Sequence, residues 1–206
     1  MKRARFWYDH FFSDINPVIR WLIVGDVIYY AGAGLLGPIF ALFIEDFITG
    51  GGAGVAGTAA AVYLITKSVA QIPAGAIVDK ICGDRDDFWF MFGGLVVASL
   101  TPLAYLFIST PAELYMVQFV LGLALAFNFP SFMGLFTKYL ADNKEATVWS
   151  MYFTLTDLAL AGAAAFGGYV AIRFGFETVI IMVSTIGFIG ALLLIPIRKE
   201  LRALNC

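Results

Sequence analysis

Three charged residues lie inside long apolar runs, and their chemistry is the first feature of this sequence to explain. They are Asp26, Lys67 and Asp157. A charged side chain near the centre of a membrane helix costs at least about 2.5 to 3.5 kcal/mol. Such residues usually bind a substrate or an ion, or pair with one another. All three are therefore candidates for a functional site.

The surrounding elements must be membrane helices. Of the 206 residues, 61% are hydrophobic and 14% are charged, whereas soluble domains have about 25% charged residues. Six apolar runs each reach the roughly 20 residues that cross a bilayer. They cover approximately residues 17–43, 57–79, 88–109, 112–137, 147–172 and 178–197. The sequence predicts an all-α membrane protein with a six-helix transmembrane domain over residues 17–197.

Lysine and arginine alternate between the two sides of this predicted domain. The N-terminal segment with the start of the first helix, the second and fourth connections, and the C-terminal tail together hold 11 of the 13 basic residues. Arg173 lies on the opposite side and Lys67 lies within a helix. By the positive-inside rule, we expect both termini to be cytoplasmic in the cell membrane.

Residues 1–16 are predicted to form an amphipathic segment in the headgroup region, and residues 198–206 a cytoplasmic tail. The first apolar run has no small-residue cleavage site, so we expect no cleaved signal peptide. His10 lies outside the membrane, and Cys82 and Cys206 have no metal-ligand spacing. We therefore predict no metal or cofactor, and the chain has no basic face for nucleic acid.

Enzyme classes fit the sequence poorly. An intramembrane aspartyl protease would use two buried carboxylates, and Asp26 with Asp157 supply two. The glycine pattern and the proline-alanine-leucine motif of that family are absent. Other membrane hydrolases need a histidine, a glutamate or a serine and base in the bilayer. We expect a protein that is not an enzyme.

A charged turn between the second and third apolar runs carries a motif. It consists of Gly75, Asp79, Lys80, Gly83, Asp84 and Arg85. The chain resembles the N-terminal six-helix half of a major facilitator superfamily transporter, whose signature in this loop is similar. Here one extra residue precedes Gly83, and Asp84 replaces the first of two closing basic residues.

The resemblance implies a fold and a function. Family members have two six-helix halves around a central pathway, each half being a three-plus-three inverted repeat. A weak internal repeat agrees, since Tyr63 and Gly75 recur as Tyr152 and Gly167 at offsets of 89 and 92. We expect a transporter that moves a small solute by alternating access as a parallel homodimer. A non-transporting scaffold, an accessory subunit, or half of a heteromeric transporter are the alternatives.

The resemblance also implies an interface. The second helix of one half packs against the fifth helix of the other, which predicts a Lys67 to Asp157 ion pair between two copies. A pair within one chain, or Lys67 with Asp26, is the alternative. Asp79 would dock on the start of the opposing fifth helix when the cytoplasmic side is closed. Four residues of the same turn share this gating interface: Gly75, Lys80, Gly83 and Arg85.

A solute or ion site is predicted on the first and fourth helices, which line the cavity in the resembled fold. Asp26 and Tyr30 recur at helical spacing, and Gln118 and Asn128 could face the same space. Asp26 could carry a proton or meet a cationic solute. Alternatively, Asp26 contacts only a neighbouring helix or Arg20.

Overall fold

A computed structural model of the protein describes residues 15–81 and 83–201. Residues 1–14 of the predicted interfacial segment, with His10, lie outside the described residues. So do Cys82 and the end of the predicted tail, residues 202–206, with Cys206. The described part of the chain is built of helices and contains no strand.

Seven α-helices follow one another along the described residues. They are α1 (Pro17–Leu36), α2 (Phe40–Phe47), α3 (Ala53–Lys80), α4 (Asp84–Leu100), α5 (Pro111–Tyr139), α6 (Glu145–Leu192) and α7 (Ile197–Glu200). Two 3-10 segments, Gly37–Ile39 and Thr101–Leu106, join α1 to α2 and extend α4. Pro38 lies in the first of these segments, and its lack of a backbone N–H interrupts the α-helical hydrogen bonds there.

Local sequence signals explain where the helices begin. Asn16 precedes Pro17, and its side chain accepts a hydrogen bond from the Val18 backbone N–H at 2.9 Å. Thr110 and Glu113 form a reciprocal capping box at the start of α5. These caps satisfy backbone donors that have no partner within the helix.

Five helical stretches in the described part are long and apolar enough to cross a membrane. They are Pro17–Phe47, Ala53–Lys80, Asp84–Leu106, Pro111–Tyr139 and Glu145–Glu200. The fifth and sixth predicted runs thus share one continuous stretch, in which α6 alone has 48 residues. A straight helix of that length would measure about 72 Å, more than twice the hydrocarbon thickness. Gly175 breaks it, with φ 82° and ψ 164°, a backbone conformation that favours glycine.

The two halves of α6, residues 145–174 and 176–192, run along α1 in opposite directions. In the first half, Tyr152 reaches Asp26 while Ala163, further along, packs at Gly34. In the second half the order is reversed, because Val183 packs at Gly32 and Gly190 packs at Gly25. α6 therefore folds back on itself near Gly175.

Two hydrophobic clusters form the core, one at each end of the bundle. The first joins the start of α1, the start of α4, the end of α5 and both termini of the α6 region, and includes Leu22, Phe88 and Phe136. The second joins α2, the 3-10 segment after α4, the start of α5 and the residues around the α6 fold, and includes Phe43 and Val179. The first cluster lies at the end that we call the basic end, which carries these seven residues: Arg20, Lys80, Arg85, Lys138, Lys144, Arg198 and Lys199.

We predict that Gly190→Val destabilises the protein by about 1 to 3 kcal/mol, the usual range for overpacking. A Cβ atom on Gly190 would lie 2.7 Å from the Gly25 carbonyl oxygen and 2.8 Å from the Tyr29 nitrogen. These are backbone atoms, so α1 and α6 must separate. Thermal unfolding in a mild detergent measures the change.

Gly168→Val is the matched control, because a Cβ atom on Gly168 in the same helix meets nothing within 4 Å. Equal melting temperatures for the two variants would contradict this account of the α1–α6 contact.

Candidate functional site

Asp26 is held at the contact between α1 and the first half of α6. The Tyr152 hydroxyl donates a hydrogen bond to Asp26 Oδ2 at 2.5 Å. Asp26 is 8% exposed. Tyr152 is itself oriented by aromatic packing against Phe132, Phe136 and Trp149. The carboxylate therefore has a partner within the same chain, on a neighbouring helix.

Tyr30 is half-buried and lies one turn beyond Asp26. Its ring makes an edge contact with Tyr29 at a centroid distance of 5.6 Å. Gly34, on the same predicted face, packs against Leu160 and Ala163 of α6. This face of α1 is thus largely used for helix packing.

A cavity of about 260 Å³ lies between α1, α3, α4, α5 and the second half of α6. Gln118 lies in its wall and donates from Nε2 to the Tyr105 hydroxyl at 3.1 Å. No carboxylate, lysine or arginine is found among the described residues that line it. Its other polar or aromatic lining residues are Tyr29, Phe40, Tyr63 and Ser99. The cavity can hold an uncharged, largely apolar molecule and offers it hydroxyl and amide hydrogen bonds.

Of the four predicted solute-site residues, only Gln118 lines this cavity. Asn128 is buried and donates from Nδ2 to the Met91 carbonyl oxygen at 2.8 Å, so it joins α5 to α4. Asp26 and Tyr30 lie outside the cavity lining. Sequence reasoning did not identify Tyr29 and Tyr105 as lining residues. Their hydroxyls within apolar runs are the signal that could have identified them.

Lys67 lies near the middle of α3, and Asp157 lies near the middle of the first half of α6. Lys67 is half-buried, and its Nζ lies 5.0 Å from the centroid of the Phe129 ring, a cation–π contact. Asp157 is exposed on α6. Within the described ranges, neither makes an ion pair with the other or with Asp26.

The face of α3 that follows Lys67 is open. Gln71, Gly75 and Asp79 line a cleft of about 380 Å³ against Pro130 and neighbouring residues of α5. In the most apolar 18-residue segment of α3 only 11% is buried, whereas 44% is buried in the corresponding segment of each of the other four stretches. α3 is thus the least covered of these helical stretches.

The charged turn after α3 is tied to the end of α5 through Asp84. Asp84 is fully buried, forms an ion pair with Lys138 and accepts a hydrogen bond from the Tyr139 hydroxyl at 2.5 Å. Gly83, with φ 141°, precedes it. Four other residues of the motif extend to or near the surface: Gly75, Asp79, Lys80 and Arg85.

The charged loop motif lies between two helices of membrane length, and most of the chain matches the sequence model of a known family. The sequence model of the Major Facilitator Superfamily matches residues 22–205. The chain belongs to the major facilitator superfamily. Members of this superfamily are membrane transporters rather than enzymes.

Three similar proteins carry the name "Multidrug resistance protein MdtG". The one from Dickeya zeae (strain Ech586) is 22% identical over 179 residues, which is 85% of this chain and 43% of that protein. The one from Enterobacter lignolyticus (strain SCF1) is 22% identical over 180 residues, 82% of this chain and 40% of that protein. The one from Klebsiella pneumoniae (strain 342) is 21% identical over 193 residues, 88% of this chain and 44% of that protein. The chain spans about two fifths of the length of these relatives.

The residue at which this chain departs from the superfamily's loop signature has a structural role of its own. Asp84 stands where the signature has a basic residue, and its partner Lys138 is the cation of the pair. A carboxylate at this position can stay buried because a lysine and a tyrosine hydroxyl both bind it.

We predict that Tyr152→Phe destabilises the protein by about 1 to 3 kcal/mol, because the buried Asp26 carboxyl group loses its hydrogen-bond donor. In an Asp26→Leu background the same change should have a much smaller effect, since no acceptor remains. A double-mutant cycle of thermal unfolding measures the coupling between the two side chains. Additive effects would mean that the hydrogen bond contributes nothing to stability.

Proposed function

We propose that this chain supplies one half of a transporter that moves a small, uncharged, largely aromatic solute across the cell membrane by alternating access. A second copy supplies the other half. The observation that carries the solute class is the cavity of about 260 Å³, which has tyrosine, serine and glutamine groups in an otherwise apolar wall. Such a wall binds apolar surface and orients it with a few hydrogen bonds.

The names of the relatives support a site that accepts more than one compound. The MdtG proteins are named for multidrug resistance, and this chain matches about two fifths of each. Aromatic rings such as Phe40, Tyr63 and Tyr105 can stack on many different flat molecules. We therefore infer that the cavity accepts a class of compounds by size and apolarity.

The proposed half consists of six crossings arranged as an inverted repeat. The fold of α6 at Gly175 would separate the fifth crossing from the sixth. If the first three crossings match the last three, contacts should recur in corresponding pairs. Three pairs of contacts support this. Tyr63 contacts Gly122 as Tyr152 contacts Asp26, and Pro130 contacts Gly75 as Leu35 contacts Gly167. Asn128 contacts Gly94 as Tyr29 contacts Gly190.

We also propose that both termini are cytoplasmic. Seven basic residues gather at the basic end, whereas Arg173 lies near the α6 fold at the other end. Lysine and arginine are enriched in cytoplasmic connections, so this asymmetry supports an orientation with the basic end inside.

The second copy would cover the open face of α3. Lys67 has an aromatic ring but no carboxylate beside it, and Asp157 is exposed without an ion pair among the described residues. A two-fold interface makes each contact twice, so Lys67 of each copy would meet Asp157 of the other. Asp79, exposed at the end of the same face, would then dock on the opposing α6 start when the basic end is closed.

We predict that Gly37→Phe lowers solute uptake at least about tenfold, equivalent to about 1.4 kcal/mol of binding free energy. Gly37 lines the cavity and a Cβ atom there meets nothing within 4 Å, so we expect a phenylalanine ring at this position to reduce the cavity volume. Uptake of radiolabelled chloramphenicol, an uncharged aromatic compound, into proteoliposomes is the measurement.

Gly168→Phe is the matched control, because Gly168 is equally uncrowded and lies outside the cavity. Asp26→Asn in the same assay tests the predicted role of Asp26 in transport. Unchanged uptake in this variant would show that Asp26 has no such role. Wild-type protein that neither binds nor transports the compound would favour the scaffold alternative.

We predict that Lys67→Asp and Asp157→Lys each lower the dimer fraction and that the double variant restores it. Native mass spectrometry in a mild detergent, at several protein concentrations, resolves the 22.4 kDa chain from its dimer. The exchange Lys199→Glu with Glu200→Lys, at exposed positions outside the proposed interface, is the control and should leave the dimer unchanged. A monomer at every concentration, or a double variant without rescue, would count against the interface.

A further inference from the structure

A groove of about 400 Å³ opens on the outer surface of the bundle between α4 and α5. We call it the α4–α5 groove. It is distinct from the cavity described above and shares no lining residue with it. Each described residue that lines it is apolar or aromatic: Trp89, Phe90, Gly93, Gly94, Val97, Val120, Leu123, Ala124 and Phe127.

Two adjacent glycines shape this groove. A Cβ atom on Gly94 would lie 2.6 Å from the Ala124 carbonyl oxygen, so the helices touch there and close the floor. A Cβ atom on Gly93 would meet nothing within 4 Å, so the space above the floor is open. From Trp89 to Val97 the groove runs eight residues along α4, roughly 12 Å at the rise of an α-helix. A channel of this length and polarity suits a hydrocarbon chain.

Two arginines stand at the end of the groove that faces the basic end. Arg198 Cζ lies 5.3 Å from the centroid of the Trp89 ring, which is also a wall of the groove. Arg85 lies one turn before Trp89 on the same face of α4, and both arginines are exposed. The nearby Asp84 forms an ion pair with Lys138, and the Asp86 carboxylate lies close to Gly83 at the start of α4. This end of the groove therefore presents two guanidinium groups, those of Arg85 and Arg198.

We propose that the α4–α5 groove binds an anionic phospholipid, with one acyl chain along Gly93 and the phosphate held by Arg85 and Arg198. Guanidinium groups bind phosphate with paired, charge-assisted hydrogen bonds. Trp89 lies where acyl chain and headgroup meet, the depth at which tryptophan is enriched in membrane proteins. A zwitterionic lipid could fill the groove, but its own cation would face the two arginines. This site does not depend on which solute the chain carries.

The acyl-chain part of the site is tested by Gly93→Leu, with Gly134→Leu as its matched control. Both glycines lie in membrane helices and neither has an atom within 4 Å of an added Cβ, but only Gly93 lines the groove. Native mass spectrometry of the protein with equimolar phosphatidylglycerol and phosphatidylcholine counts the lipids retained. We expect Gly93→Leu to lose a retained phosphatidylglycerol that Gly134→Leu keeps.

The headgroup part is tested in the same experiment with Arg85→Ala and Arg198→Ala. Each should lower the preference for phosphatidylglycerol roughly fivefold, the effect of one basic side chain at an anionic membrane surface. Arg173→Ala, at the opposite end, should leave the preference unchanged.

Three results would overturn the proposal. Equal retention of both lipids by the wild-type protein would show ordinary surface lipid. Equal losses in the Arg173→Ala variant would show a general charge effect. A dimer that Gly93→Leu abolishes while lipid binding is unchanged would show that a second copy occupies the groove.

Discussion

The contact of α1 with both halves of α6 determines how the rest of the bundle is arranged. In a bilayer, apolar surface gains little by moving from lipid to protein, so helices associate through close packing and polar contacts. Gly25, Gly32 and Gly34 each bring an α6 atom to within 3 Å of where a side chain would begin. At Gly190 the backbones of the two helices meet directly. The fold of α6 at Gly175 is what allows one helix to be held from two sides.

The polar groups inside the bundle follow from the same constraint. Hydrocarbon cannot satisfy a hydrogen-bonding group, so each must find a partner in the protein. Asp26 has Tyr152, Gln118 has Tyr105 and Asn128 has the Met91 carbonyl, and each bond joins two helical elements. These residues thus stabilise helix contacts, while Gln118 also lines the cavity. Lys67 and Asp157 are the two mid-helix charges for which the described residues offer no such partner of opposite charge.

The two ends of the bundle differ in the contacts that they contain. The basic end holds the Asp84 ion pair, the cation–π contact of Arg198 and the residues of the loop motif. At the opposite end, around the turn of α6, the Phe43 and Phe47 rings stack and Phe176 makes an edge contact with Phe47. Both ends are therefore held by aromatic packing, and the basic end has the Asp84–Lys138 ion pair in addition. The glycine contacts of α1 with α6 connect the two ends.

The amino-acid sequence was sufficient to identify the class of the protein. Apolar runs of membrane length, their bounds and the loop motif predict a helical membrane protein of the major facilitator type, because hydropathy and helix length are local properties. The tertiary structure alone decided which side chains meet. Helical spacing placed Asp26 and Tyr30 on one face, but it could not reveal that Asp26 faces Tyr152 across 126 positions of sequence. Likewise Asn128 turns toward α4, and Tyr105 joins Gln118 at the cavity. Such pairings depend on the rotation and depth of neighbouring helices, which packing sets only after the helices have formed.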